Sequence, residues 1–158
     1  MGPSRAIARP LLAGMFIYGG LDEICHPASK VEAAEPVVRA ITKRLGVELS
    51  TRDAVLANGL AQLVGGTFLA VSALPRLAAT VLATSLVPTT FAGHRFWEQE
   101  SEQARRGQRV QFLKNAAMLG GLLLAIVDTE GAPSVSWRAR HRTRRVVERM
   151  PVVGRHHE

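Results

Sequence analysis

The sequence has little cysteine, no phosphate-cradling loop, and almost no charge through its middle. A single thiol, Cys25, excludes an internal disulfide framework. Cys25 follows "LDEI", which is no lipid-attachment box, and Gly2 has Ala6 where a myristoylation signal needs Ser or Thr. Glycine pairs occur at Gly19-Gly20, Gly65-Gly66 and Gly120-Gly121, but none forms a GxGxxG or Walker loop in context. They read as marks of close helix packing, together with Gly59. Glu23-Ile24-Cys25-His26 has the Glu-x-x-His spacing of bundle metal sites, but only once, since His94 has no acid three residues before it. No metal is therefore expected. A b-type haem would have only His26 and His94 as axial candidates, both near a membrane edge.

The missing charge says most. Between Ala54 and His94 the only formally charged residue is Arg76. Ala54 to Leu74 and Leu77 to Gly93 have no charged face, and each approaches the roughly 20 residues that span a bilayer. They predict two transmembrane helices joined by a turn at Pro75-Arg76; the alternative is a pair of helices buried in a soluble core. Two weaker runs flank them. "ARPLLAGMFIYGGL" (Ala8 to Leu21) lacks a small-residue cleavage site and runs into Asp22-Glu23, so it reads as an uncleaved first helix ending at Pro27. "NAAMLGGLLLAIV" (Asn115 to Val127) reaches spanning length if the helix begins near Val110 and carries Lys114, whose ammonium can snorkel. Four spans are expected.

Between the first two, Val37, Val38, Ile41 and Leu45 recur at helical spacing with Arg39, Lys43 and Arg44 among them. That pattern predicts a short amphipathic helix at the interface. Ser50 or Thr51 is the expected N-cap of the second span, with Asp53 in its first turn. Pro88 in the third span frees the carbonyl of Thr84, which hydroxyls of Thr84, Ser85, Thr89 and Thr90 are placed to satisfy.

The fold class expected is all-α: a four-helix transmembrane bundle over residues 1–130, with a short interfacial helix and an arginine-rich tail over 131–158. The tail holds seven arginines and contributes to a net charge of +7. Lysines and arginines elsewhere nearly balance across the membrane, so the tail decides orientation: a multi-pass cell-membrane protein with both termini cytoplasmic. The tail has no nucleic-acid-reading element. Anionic lipid headgroups explain it more simply, with Trp137 as an interfacial anchor.

Antiparallel helices bring polar residues to one level. Asp22, Glu23 and His26 end the first span; Asn58 and Gln62 lie i, i+4 in the second; His94 and Trp97 end the third; Lys114 and Asn115 open the fourth. Buried ionisable groups in membranes pair, so a contact from Lys114 to Asp22 or Glu23 is expected. His26 is i+4 from Asp22 and i+3 from Glu23, so either carboxylate is placed to orient its ring. The cluster is either a polar knot that fixes register or a ligand site at the non-cytoplasmic mouth of the bundle.

At these residues the chain resembles the DoxX family of small four-helix membrane proteins. The resemblance is carried by "RPLLAGMFIYGGLDEICHP", "NGLAQLVGGTFLAVSALPRLAATVLATSLVPTTFAGHRFW" and "FLKNAAMLGGLLLAI", about two thirds of the chain. The chain is similar to actinobacterial members, and its tail lies outside the common pattern. The resemblance implies a link to quinone oxidoreductases of sulfur compounds and to thiol and oxidative stress. It makes a quinone the candidate cofactor and leaves open whether the chain is an enzyme. One implied function is a redox-associated subunit with a quinone or small-ligand site at Asp22, Glu23, Asn58, Gln62, His94, Trp97, Lys114 and Asn115. The other is a non-catalytic membrane scaffold that docks a soluble redox or stress-response enzyme.

Overall fold

A proline or a hydroxyl starts each of the first four helices, and left-handed residues make the turns on either side of the third, at Gly46 and at Ser72 and Leu74. A computed structural model describes residues 2–128. The tail over 131–158, with Trp137 and its expected lipid contacts, lies outside the described residues. Helix α1 is Pro3–Cys25, α2 is Ala28–Leu45, α3 is Thr51–Ala70, α4 is Pro75–Gly93 and α5 is Glu102–Val127. A single 3₁₀ turn, Phe96–Glu98, precedes α5. Among the described residues there is no strand.

Ser50 caps α3 as expected: its hydroxyl oxygen accepts from the Asp53 N–H at 3.1 Å. Gly46 closes α2 with φ 65°. The turn between α3 and α4 differs from expectation, lying at residues 71–74 with Pro75 already helical. Proline suits the first helical position because its missing N–H would have no partner there. The reversal is instead made by Ser72 and Leu74, both with positive φ (58° and 47°). Also, α1 starts at Pro3 rather than near Ala8, and α5 at Glu102 rather than near Val110.

The contacts run in sequence around the bundle. Helix α1 packs chiefly on α3, α3 on α4, and α4 on α5, whereas α1 and α5 barely meet. Side-chain contacts fix the levels. Arg76, at the start of α4, donates to the carbonyl of Ile126, near the end of α5, at 2.9 Å. Asn115, in α5, donates to Thr90, near the end of α4, at 3.0 Å. The apolar core lies towards the Arg76 end, where Phe16, Leu69, Leu82 and Leu122 are shut off from solvent. Leu122 is the one buried residue of α5.

Glycine decides how close α1 and α3 come. A Cβ on Gly20 would meet the Gly59 carbonyl oxygen at 2.5 Å and the Leu63 nitrogen at 2.7 Å. On Gly66 it would meet an Ile17 methylene at 2.9 Å. Gly65 faces the other way, onto Leu82 of α4. The glycines of α5 do not share this role. Gly120 faces open space and Gly121 only touches Leu12, because α5 has so little contact with α1.

The outer surface is apolar in rows. Ile7, Leu11, Met15 and Tyr18 run along the outside of α1, and Leu60, Val64 and Phe68 along α3. Leu77, Val81 and Phe91 do so on α4, and Val110, Leu113, Leu124 and Val127 on α5. An exposed apolar surface of that extent is one that water does not cover in a stable monomer. Among the described residues, one helix, Glu102–Val127, is long and apolar enough to cross a membrane. It is the run that read as weak in sequence. The two charge-free segments are diluted by Asn58 and Gln62 in α3 and by the hydroxyls and Pro88 of α4, and their helices open on Arg52-Asp53 and on Arg76.

The α1–α3 contact gives a test. Gly20→Ala should destabilise the fold by about 1–3 kcal/mol, because backbone must move to admit the methyl. Gly14→Ala, exposed with nothing within 4 Å of its Cβ position, should be neutral or stabilising. Thermal unfolding of the two variants in detergent compares them directly.

Candidate functional site

Glu23 sits one turn from the end of α1, on the face that the glycine contact presses against α3. Its two carboxylate oxygens each accept one hydrogen bond. Asn58 Nδ2 donates to Oε2 at 2.8 Å, and Gln62 Nε2 donates to Oε1 at 3.3 Å. The i, i+4 spacing of Asn58 and Gln62 puts both amides on one side of α3. Asn58 also binds α4. Its Nδ2 donates to the Thr89 hydroxyl at 3.0 Å, and its Oδ1 accepts from the Ser85 hydroxyl at 2.7 Å. Thr89 in turn donates to the Ser85 carbonyl at 2.9 Å. Asn58 thus ties three helices together, and both of its amide hydrogens are in use.

The other expected site residues fall into separate groups. Asp22 points away from Glu23, accepting from Lys30 Nζ at 2.8 Å and meeting His26 Nδ1 at 3.2 Å. Of the two carboxylates expected to orient His26, Asp22 makes the contact. Glu23 and His26 engage different partners, so the Glu-x-x-His spacing makes no joint site. His94 Nδ1 meets Gln108 Oε1 at 2.9 Å. Trp97 stands in an aromatic group with Phe91, Phe96 and Phe112, ring centroids 5.0–6.2 Å apart. Asn115 bonds Thr90.

Lys114 corrects the expected ion pair. It is exposed and donates to Gln111 at 3.0 Å, one turn back on its own helix. The carboxylate of Asp22 takes Lys30 instead. The reason is helix order: α5 packs on α4 and scarcely reaches α1, so a lysine on its outer face cannot meet an acid on α1.

Sequence reasoning missed Ser85, Thr89 and Lys30, and it placed α2 differently. The sequence reading gives Ser85 and Thr89 to the backbone near Pro88. Thr89 and Thr90 do bond carbonyls, those of Ser85 and Leu86, but Thr84 bonds the Thr80 carbonyl. Their i, i+4 spacing on α4 matches that of Asn58 and Gln62, and that was the available signal. Helix α2 is longer than expected and packs on α3 and α4. Arg95 holds it there, donating to the Ala33 carbonyl at 2.9 Å.

Under α2 lies a cavity of about 200 Å³. Val37, Val38 and Ile41 of α2 and Val55, Pro88 and Ala92 of the bundle give it apolar walls. Glu23, Asn58, Thr89 and Lys30 supply its polar wall. The apolar stripe of the amphipathic helix faces this space.

A model of the DoxX family matches residues 4–95. The chain belongs to the DoxX family. That match covers more than half of the chain, from the start of α1 to just past the end of α4. It takes in Asp22, Glu23, Asn58, Gln62 and His94. The "FLKNAAMLGGLLLAI" stretch, with Lys114 and Asn115, lies beyond it, as does Trp97. Membership makes this a membrane protein, in keeping with its apolar exterior. No curated protein and no solved structure matches the chain.

Removing Asn58 tests the network. Asn58→Ala strips Glu23, Ser85 and Thr89 of a partner each and should cost about 1–3 kcal/mol. Lys114→Met should stay within about 0.5 kcal/mol, as for other exposed positions. Equilibrium unfolding in mild detergent measures both, and equal losses would contradict the partners described.

Proposed function

We propose that this DoxX protein is a four-span membrane subunit that holds the headgroup of a quinone-like lipid in the cavity beneath α2. The cavity itself carries the reading. Ligand sites are concave and mostly apolar, with a few placed polar groups. Here the polar groups include a carboxylate inside an apolar bundle, which marks function more often than stability. Pockets that enclose drug-sized ligands run to about 300–1,000 Å³. A cavity below that range suits a ring with its tail left outside, along the apolar rows of the bundle.

Outward apolar rows on α1, α3, α4 and α5 alike support four spans, although only α5 meets the length and composition measure alone. Four antiparallel spans put both termini on one side, and the arginines of the tail favour the cytoplasm for that side. The cavity then opens at the non-cytoplasmic mouth. Glu23 and Asn58 line this site with Lys30 and Thr89, while Gln62 stands behind Glu23 and Asp22 holds Lys30 at the rim. Gly93 lines the cavity next to His94, while Trp97 and Asn115 keep their own partners, the phenylalanine rings and Thr90. A redox-associated role follows from the choice of ligand.

Lipid extracted from the purified protein provides the test. Wild type should retain a near-stoichiometric isoprenoid quinone, and Val38→Trp, which fills the cavity, should lose it. Protein that carries no quinone but co-purifies with a soluble enzyme would favour the scaffold role over this one.

A further inference from the structure

The hydrogen-bond inventory of the cavity says which form of such a ligand it selects. A quinone presents two carbonyl acceptors, whereas its reduced hydroquinone presents two O–H donors. The deep polar wall offers few donors. Both amide hydrogens of Asn58 are taken, by Glu23 and Thr89. The Thr89 hydroxyl gives its hydrogen to the Ser85 carbonyl. Gln62 is buried behind the wall, with its amide on Glu23, and does not line the cavity. Acceptor capacity remains, however. An ionised carboxylate accepts at about four positions, and the Glu23 oxygens have one protein donor each. Lys30 is a donor, but it is exposed at the rim and bonded to Asp22, where water competes for it.

Resting on the reading of the cavity as a ring-binding site, we propose that it selects the hydroxyl-bearing reduced ligand, a hydroquinone or simple phenol, through an O–H bond donated to Glu23. Asn58 and Gln62 act as positioning residues. They hold the carboxylate by the donors it needs on one side and leave its other lone pairs turned to the cavity. A carbonyl oxygen in the same place would face an ionised carboxylate with no hydrogen between them. A site built around an acceptor rejects an analogue that lacks the donor, because its own polar group is left unpaired.

The test uses a redox-inert pair, 4-pentylphenol and its methyl ether, binding to the full chain in nanodiscs by equilibrium dialysis. The Val38→Trp protein sets the background for partition into lipid. The phenol should bind wild type about 10- to 100-fold more tightly than the ether, the range for one hydrogen bond to a charged acceptor. Glu23→Gln, checked for folding by its helical circular dichroism, should reduce that preference to a few-fold. Equal binding of phenol and ether, both lost in Val38→Trp, overturns the selection and leaves the cavity reading standing. Binding of both that Val38→Trp does not change, or no binding of either, overturns the cavity reading and the selection with it. A preference that survives Glu23→Gln overturns the assignment to Glu23. The wild-type ratio needs no variant, so it decides the selection even if Glu23→Gln fails to fold.

Discussion

Gly20 and Gly59 let the backbones of α1 and α3 meet where any side chain would hold them apart. The Cβ position of Gly59 lies 2.9 Å from the Glu23 Cβ, so the contact that joins the helices also sets the carboxylate against α3. From there Glu23 reaches Asn58 and Gln62, and Asn58 reaches α4. Without that approach, the carboxylate would stand on the outside of α1 and the network would have no centre. Close packing of small residues and a buried polar group are separate devices in membrane bundles. Here one places the other.

The bundle is divided by level. Towards Arg76 the helices meet through Phe16, Leu69, Leu82 and Leu122, a dry core that needs no hydrogen bonds. Towards His94 they meet through Glu23, Asn58, Gln62, Ser85 and Thr89, and a cavity remains between α2 and the bundle. Helix α2 packs over this end on α3 and α4. Its apolar stripe would otherwise need lipid, and the open end of the bundle would otherwise admit water. Val37 and Val38 are partly shielded there while Ile41 and Leu45 stay exposed, and the Arg95 bond to the Ala33 carbonyl holds α2 in place. Helix α5 gives its one buried residue, Leu122, to the apolar core, and the cavity is lined wholly by α1 to α4.

Much of this was legible in the sequence, and the rest depended on which helix neighbours which. The helices themselves follow from apolar runs, the Ser50 cap and the prolines. The meeting of Glu23, Asn58 and Gln62 follows from their shared depth. Depth, however, does not specify neighbours. Lys114 lies at a matching level on α5, yet α5 joins the bundle through α4, so the lysine faces outward and Lys30 meets the acid of α1. Nor could the sequence say what covers the cavity. An amphipathic helix shows the same periodicity whether its apolar face meets lipid or protein, so Val37, Val38 and Ile41 pointed equally to both. Ser85 and Thr89 were hidden by a second role, since hydroxyls beside a proline are expected to serve the backbone.

Asn58 is where structure and chemistry draw on the same atoms. Its side chain has two donor hydrogens, both spent within the protein, and an acceptor oxygen already bonded to Ser85. A residue so engaged contributes order, since shifting it breaks bonds to two other helices at once. It has no donor left to offer a ligand. The carboxylate beside it is engaged through each oxygen yet keeps spare acceptor capacity, because an ionised carboxylate has more lone pairs than the two neighbouring amides can fill. The polar cluster therefore need not be either a knot that fixes register or a ligand site. The amide supplies the first and, by holding the carboxylate still, leaves it available for the second.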